Sequence, residues 1–155
     1  SLPKGQWEAA KAIGVDPQVM LSQAALETGW GRYMIHDESG KNSFNLFGIK
    51  ADSRWDGKSA VVSTREYRGG VAQREQAAFR AYGSYEESLK DYANFLQSNP
   101  RYTEALKHAA DPVKFTKGLQ DAGYATDPAY AQKIQRIINS SSMSLAVKNY
   151  QNNQG

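Results

Sequence analysis

Four of the chain's five prolines follow Asp or Asn, at Asp16-Pro17, Asn99-Pro100, Asp111-Pro112 and Asp127-Pro128, and each pair reads as a helix start. The acid or amide caps free N–H groups, while proline takes a first-turn position where its missing donor costs nothing. Ser84-Tyr85-Glu86-Glu87 adds a capping box, opening a helix with Leu89, Tyr92, Phe95 and Leu96 along one side. Phe115, Leu119 and Ala122 mark a later helix, and Tyr130, Ile134, Ile137 and Ile138 mark the last strongly periodic one. Against this helical background one region, about 58–82, reads as β. There Ala60-Val61-Val62-Ser63-Thr64 and Gln73 to Phe79 flank Arg68-Gly69-Gly70, which predicts a hairpin. The expected fold class is α+β, a mostly helical lobe with a small β-hairpin lobe.

At 155 residues and 40% hydrophobic content the chain suits one domain with a real core. That domain is expected over residues 1–139. Residues 140–155, with Ser140-Ser141-Ser142 and a polar ending, predict a mobile tail with at most a short helix. No apolar run approaches the roughly 20 residues needed to span a bilayer, so no membrane partner is expected. Ser1-Leu2-Pro3-Lys4 does not read as a secretion leader, and any signal or partner domain is expected outside these residues.

The absence of cysteine excludes a catalytic thiol, a disulfide framework and a cysteine zinc site. His36 and His108 lack ligand-like spacing, and there is no glycine-rich phosphate loop or nucleophile elbow. Neither a metal nor an organic cofactor is implied. A net charge of +3 and a pI near 9.0 favour an acidic polymer. The cations are spread along the chain and interleaved with acids, which reads as a solvated surface rather than a nucleic-acid groove.

The segment Ala24-Ala25-Leu26-Glu27-Thr28-Gly29-Trp30-Gly31 places one carboxylate at the end of an otherwise apolar helix. Glu27 shares a helical side with Met20, Gln23, Trp30 and Gly31, so its oxygens are expected against apolar atoms near a backbone break. Desolvation there raises a carboxyl pKa. An acid that keeps its proton near neutral pH can protonate a leaving oxygen, the task of a general acid in glycoside cleavage.

Glu27-Thr28-Gly29-Trp30-Gly31, followed by Asn45-Leu46-Phe47-Gly48-Ile49-Lys50, resembles the paired motif of bacterial peptidoglycan hydrolases in the lysozyme superfamily. More narrowly, it is similar to the C-terminal hydrolase domain of flagellar rod-associated proteins of FlgJ type, in the N-acetylglucosaminidase family. The likeness continues through Ser63-Thr64-Arg65-Glu66-Tyr67, then Phe79 to Ser88 with Asp91-Tyr92, and Gly123 to Pro128 with Tyr130-Ala131. These blocks run in order from about Val15 to Ile138. The resemblance implies a lysozyme-like glucosaminidase domain with the substrate cleft between its lobes. It implies hydrolysis of the β-1,4 bond after N-acetylglucosamine in peptidoglycan glycan strands. Its nearest alternatives are a muramidase or lytic transglycosylase on the same polymer, and a wall-binding or scaffold module without turnover. It also implies a periplasmic setting, or a secreted or wall-associated one, with flagellar rod proteins as partners through regions outside this chain.

Within that frame Glu66 is the second carboxylate. Strand alternation puts it on one face with Val62 and Thr64, from where it can point into the cleft. A separation from Glu27 of about 5 to 5.5 Å would favour retention and about 6.5 to 9.5 Å inversion, while attack by the sugar's own N-acetyl group needs only the acid and an orienting group. The resemblance also marks Asn45, Asp91, Tyr92 and Tyr124 as supporting positions. Asp91 reads as an orienting residue. Tyr124 either bonds the acetamido group or has its hydroxyl satisfied by backbone. Among the 17 aromatics, Trp55, Tyr82 and Tyr85 are the expected sugar-stacking residues, and Trp30 and Phe47 the walls of the acid's pocket.

Overall fold

The computed structural model describes residues 2–154, with side chains described over 5–152. Among them are seven α-helices and one two-stranded antiparallel sheet. The helices are α1 (Leu2–Ile13), α2 (Pro17–Thr28), α3 (Tyr85–Ser98), α4 (Thr103–Lys107), α5 (Pro112–Asp121), α6 (Tyr130–Ile138) and α7 (Ser141–Gln154). The strands are β1 (Ser59–Arg68) and β2 (Val71–Arg80). No described helix is long and apolar enough to cross a membrane.

Three of the four Asx-Pro pairs start helical segments as expected. The Asp16 side chain accepts from the Gln18 N–H, Asp111 from Val113 and Lys114, and Asn99 from Arg101 at the head of a short 3-10 turn, Pro100–Tyr102. Asp127 differs. Its carboxylate accepts from the Ala129 N–H and pairs with Lys133, so Asp127-Pro128 forms a turn and α6 begins at Tyr130. Ser84 caps α3 through the Glu87 N–H, and the Glu87 carboxylate reaches back to the Gly83 N–H.

α2 is the central element, packed against α1 and α6 and buried on most of its surface at Val19, Met20, Ser22, Gln23, Ala24, Ala25 and Thr28. A polar Gln23 is tolerated there because both ends of its amide are used. It accepts from the Tyr92 hydroxyl on α3 and donates 2.8 Å to the Tyr130 oxygen on α6. This ties three helices together beneath the end of α2. Phe47, Leu96, Phe115, Leu119 and Ile134 fill the surrounding core.

The hairpin lies one or two residues inside the expected limits, with Arg68 opposite Val71 across Gly69-Gly70. Both glycines have positive φ, 60° and 81°, the geometry a two-residue turn between twisted strands demands. On the other edge of β2, Lys50 bridges Phe79, so the 49–51 segment adds a short third rung.

The chain's end departs from expectation. Residues 141–154 form a 14-residue helix rather than a short one. The Ser140 hydroxyl accepts from the Met143 N–H, Met143 is fully buried, and Tyr150 stacks on Trp7 of α1 at 4.4 Å. Two apolar anchors suffice to dock an otherwise polar helix.

Candidate active site

α2 ends at Thr28, one residue past Glu27. Thr28 donates back to the Ala24 carbonyl and accepts from the Gly31 N–H, while Gly29 takes the left-handed conformation and closes the helix onto Ala25. Glu27, one residue earlier, projects into a groove of about 1060 Å³ between the lobes. Its floor is the 45–49 loop, which Asn45 holds from inside. The Asn45 amide donates 2.9 Å to the carbonyls of Ile49 and Arg80 and accepts from the N–H groups of Phe47 and Ile49. Gly48 in that loop has φ +64°, and a Cβ there would lie 2.6 Å from Glu27 Oε2. The loop lies against the carboxyl at a distance only glycine permits.

Contrary to the sequence expectation, Glu27 is exposed by surface area, open to the groove. The surrounding protein mass still displaces the bulk water that would solvate its charge. That displacement, reinforced by the nearby Glu66 charge and opposed by Lys50, pushes the carboxyl from 4.5 up to about 7. A reachable, protonated acid is what a proton donor requires.

Glu66 on β1 lines the same groove and is only 6% exposed. Both of its oxygens accept from Lys50 Nζ, at 2.7 and 3.1 Å. Lys50 is set in turn by Arg80, whose Nε donates to the Lys50 carbonyl and whose Nη1 pairs with Asp91 at 3.0 Å. Tyr124 lines the groove with its hydroxyl donating 3.0 Å to the Phe47 carbonyl, and Tyr130 lines it beside Glu27. Burial holds both phenols protonated. Among the described residues no group of three or more His, Cys, Asp or Glu could hold a metal ion.

A family profile described as mannosyl-glycoprotein endo-beta-N-acetylglucosaminidase matches residues 5–143. The chain belongs to the glucosaminidase family. It is similar to the peptidoglycan hydrolase FlgJ of Pseudomonas aeruginosa, at 56% identity over 136 residues covering 88% of this chain and 34% of that protein. Similarity to FlgJ of Escherichia coli K12 is 47% over 130 residues, covering 84% and 41%. The chain thus spans about a third to two fifths of the curated relatives' length. A probable N-acetylmuramidase of Lactococcus lactis is 35% identical over 134 residues, covering 83% of this chain and 30% of that protein. Among solved structures, the glycoside hydrolase domain of Salmonella typhimurium FlgJ superposes with TM-score 0.70 at 40% identity, covering 99% of this chain and 92% of that one. A peptidoglycan hydrolase mutant from Sphingomonas sp. A1 superposes with TM-score 0.86 at 40% identity, covering 94% of each chain. This is a glycoside hydrolase domain with the lysozyme-like α+β fold.

The glucosaminidase groove collects Glu27, Glu66, Phe47 and Tyr124 from the residues singled out in the sequence. Others stand elsewhere. Trp30, with φ 60° and 43% exposed, is not among the groove-lining residues. Trp55 and Tyr82 line a separate hollow of about 540 Å³. The guanidinium of Arg80 is stacked between Trp55 and Phe95, 5.0 and 5.1 Å from their ring centres, so Trp55 serves the Arg80 support. Tyr82 donates to Asp91, Tyr85 packs edge-on against Phe44, and Tyr92 is fully buried. Asn45 and Asp91 act through the loop and through Arg80. Three contributors were not singled out: Lys50, Gly48 and Tyr130. The first two sit in the quoted Asn45–Lys50 block and the third beside Ala131, but their contacts are with residues distant in the chain: Lys50 with Glu66, Gly48 with Glu27 and Tyr130 with Gln23.

Proposed function

We propose that this domain hydrolyses the glycan strand of peptidoglycan at the β-1,4 bond after N-acetylglucosamine, with Glu27 as the proton donor. The observation that carries the reading is the Glu27 carboxyl itself: accessible from an open groove, pushed up to about 7, and accompanied on the groove wall by a lysine-paired Glu66. Protonated Glu27 delivers its proton to the departing glycosidic oxygen. Glu66 supplies negative charge to the oxocarbenium-like transition state or receives a proton from incoming water. With both oxygens engaged by Lys50, Glu66 suits these roles better than direct attack on carbon.

The choice of bond rests on family membership, and the name of the Lactococcus relative favours a second reading, a muramidase. Digestion of purified sacculi with mass spectrometry of the products separates them. Reducing-end N-acetylglucosamine is expected. Reducing-end muramic acid supports the muramidase, and anhydro-muramic products indicate a lytic transglycosylase. The Glu27→Gln variant is expected to release no products, whereas undiminished digestion would reject Glu27 as the acid and leave a wall-binding role open. The same reading sets the domain against the wall in the periplasm, with contacts to flagellar rod proteins made through regions outside residues 1–155.

A further inference from the structure

The groove holds more positive charge than its own carboxyl groups use. Six cations, Lys50, Arg54, Arg65, Arg74, Arg101 and Lys133, line it beside Glu27, Asp52, Glu66 and Asp127. Lys50 is paired with Glu66, Arg54 with Asp52 and Lys133 with Asp127. Among the described residues, Arg65, Arg74 and Arg101 make no ion pair, and of these Arg65 and Arg74 belong to the hairpin. Both side chains are exposed, and they stand directly opposite each other in the hairpin register, on the sheet face opposite to that of Glu66. Like charges on facing strand positions repel. Three residues along β1, Arg68 shows the alternative, with two 2.8 Å hydrogen bonds to Glu75 on β2. The hairpin thus neutralises Arg68 across its strands and leaves Arg65 and Arg74 unneutralised where they line the groove.

We propose that Arg65 and Arg74 form a clamp for the carboxylates of the peptide stems carried by the glycan strand. This rests on the reading of the groove as a peptidoglycan site and adds to it which part of the polymer the hairpin reads. A fully N-acetylated strand with its lactyl groups in amide linkage carries no charge and gives two arginines nothing to pair with. The stems carry free carboxylates, and two adjacent guanidinium forks match such groups by paired, charge-assisted hydrogen bonds. Bound substrate then relieves the repulsion that the free hairpin tolerates. Neither arginine takes part in bond cleavage, so the effect falls on substrate capture.

The test compares native sacculi with sacculi whose stem carboxylates have been converted to methylamides by carbodiimide and methylamine. Initial rates of reducing-end release are measured at low and at saturating substrate. The wild-type domain is expected to cut native sacculi about tenfold faster than amidated ones at low substrate, the loss expected when two solvent-screened charge contacts go. The difference disappears at saturation. The Arg65→Gln/Arg74→Gln variant cuts both substrates at the wild-type rate for amidated sacculi and melts no lower than wild type, because a repulsion has been removed. Wild-type indifference to amidation overturns the clamp, as does a variant that still prefers native sacculi as wild type does. A variant slowed equally on both substrates, with a lowered melting point, overturns it too by assigning the arginines a structural role. Failure of the wild-type domain to cut either substrate is a distinct result that removes the peptidoglycan reading and the clamp with it.

Discussion

Replacing Gly48 with Ala tests the proposed acid through a neighbour that has no chemistry of its own. An alanine Cβ would lie 2.6 Å from Glu27 Oε2 and 3.0 Å from its Cδ. The loop cannot readily yield, because Asn45 grips the residues on both sides and the Tyr124 hydroxyl holds the Phe47 carbonyl. The carboxyl is the end of a flexible side chain, so it moves instead. Ordinary contact begins near 3.4 Å, which requires a retreat of roughly 0.8 Å, and misplacement of about 1 Å in a reacting group costs on the order of 10²-fold. The stability cost comes mainly from holding a β-carbon at positive φ, roughly 1–2 kcal/mol, or a melting point lower by about 2–8 °C for a domain of this size. Sacculus digestion should therefore show kcat down about 100-fold with little change in KM. Gly70→Ala is the control. Gly70 also has positive φ, 81°, but a Cβ there meets nothing within 4 Å. It should lose comparable stability and keep its activity. Near-wild-type turnover by Gly48→Ala, or an equal loss in Gly70→Ala, would refute the close-approach argument.

Further outcomes follow from the same charges. As the proposed proton donor Glu27 can act only while protonated, so kcat/KM should fall as pH rises through about 7, read from a pH–rate profile. The group's folded value lies above its unfolded value of about 4.5, so its stabilising effect is complete below pH 4.5 and is lost as pH rises through 7. After discounting for the carboxyl's contact with groove water, Glu27→Gln should be more stable than wild type by about 1 kcal/mol at pH 8 and equal to it near pH 4.5, measured by thermal melts. Lys50→Met should cost about 1–2 kcal/mol, because it strands the nearly buried Glu66 without its partner. It should also move the alkaline limb upward, since Lys50 lowers the Glu27 value, and an unmoved limb in a folded variant would contradict that coupling.

The parts of this fold that announce themselves in sequence are those decided within a few residues. Asp16-Pro17, Asp111-Pro112 and Ser84 state their caps locally, and Gly69-Gly70 states its turn. What escaped depends on partners far along the chain. α7 is mostly polar, and its docking through Met143 and the Trp7–Tyr150 stack joins residues far apart in the chain. α1 offers no Asx-Pro start. Aromatic content suggested Trp55 and Tyr82 as sugar platforms, but it does not say that Arg80 lies against the Trp55 ring or that the Tyr82 hydroxyl is bonded to Asp91. The place of Glu27 at a helix end was legible. Its openness to the groove was not, because solvent access there depends on how the hairpin stands across from α2.

The two carboxyl groups also share a single support. The Asn45 amide fixes Gly48 beneath Glu27 and, through its second hydrogen bond, grips the Arg80 carbonyl at the end of β2. The side chain of the same Arg80 holds the Lys50 carbonyl while clamped by Asp91 of α3, and Lys50 holds Glu66. Displacing Arg80 therefore disturbs the loop under the acid and the lysine on the second carboxylate together. Asp91 lines no part of the groove, yet through Arg80 it is linked to the supports of both carboxyl groups. The hairpin gains further attachment where its Tyr67 N–H donates 3.0 Å to Thr126 Oγ1. With β1 held there and β2 held at Arg80, the hairpin that carries Glu66 is tied to the rest of the fold at two separate points, which limits how far Glu66 can shift relative to Glu27.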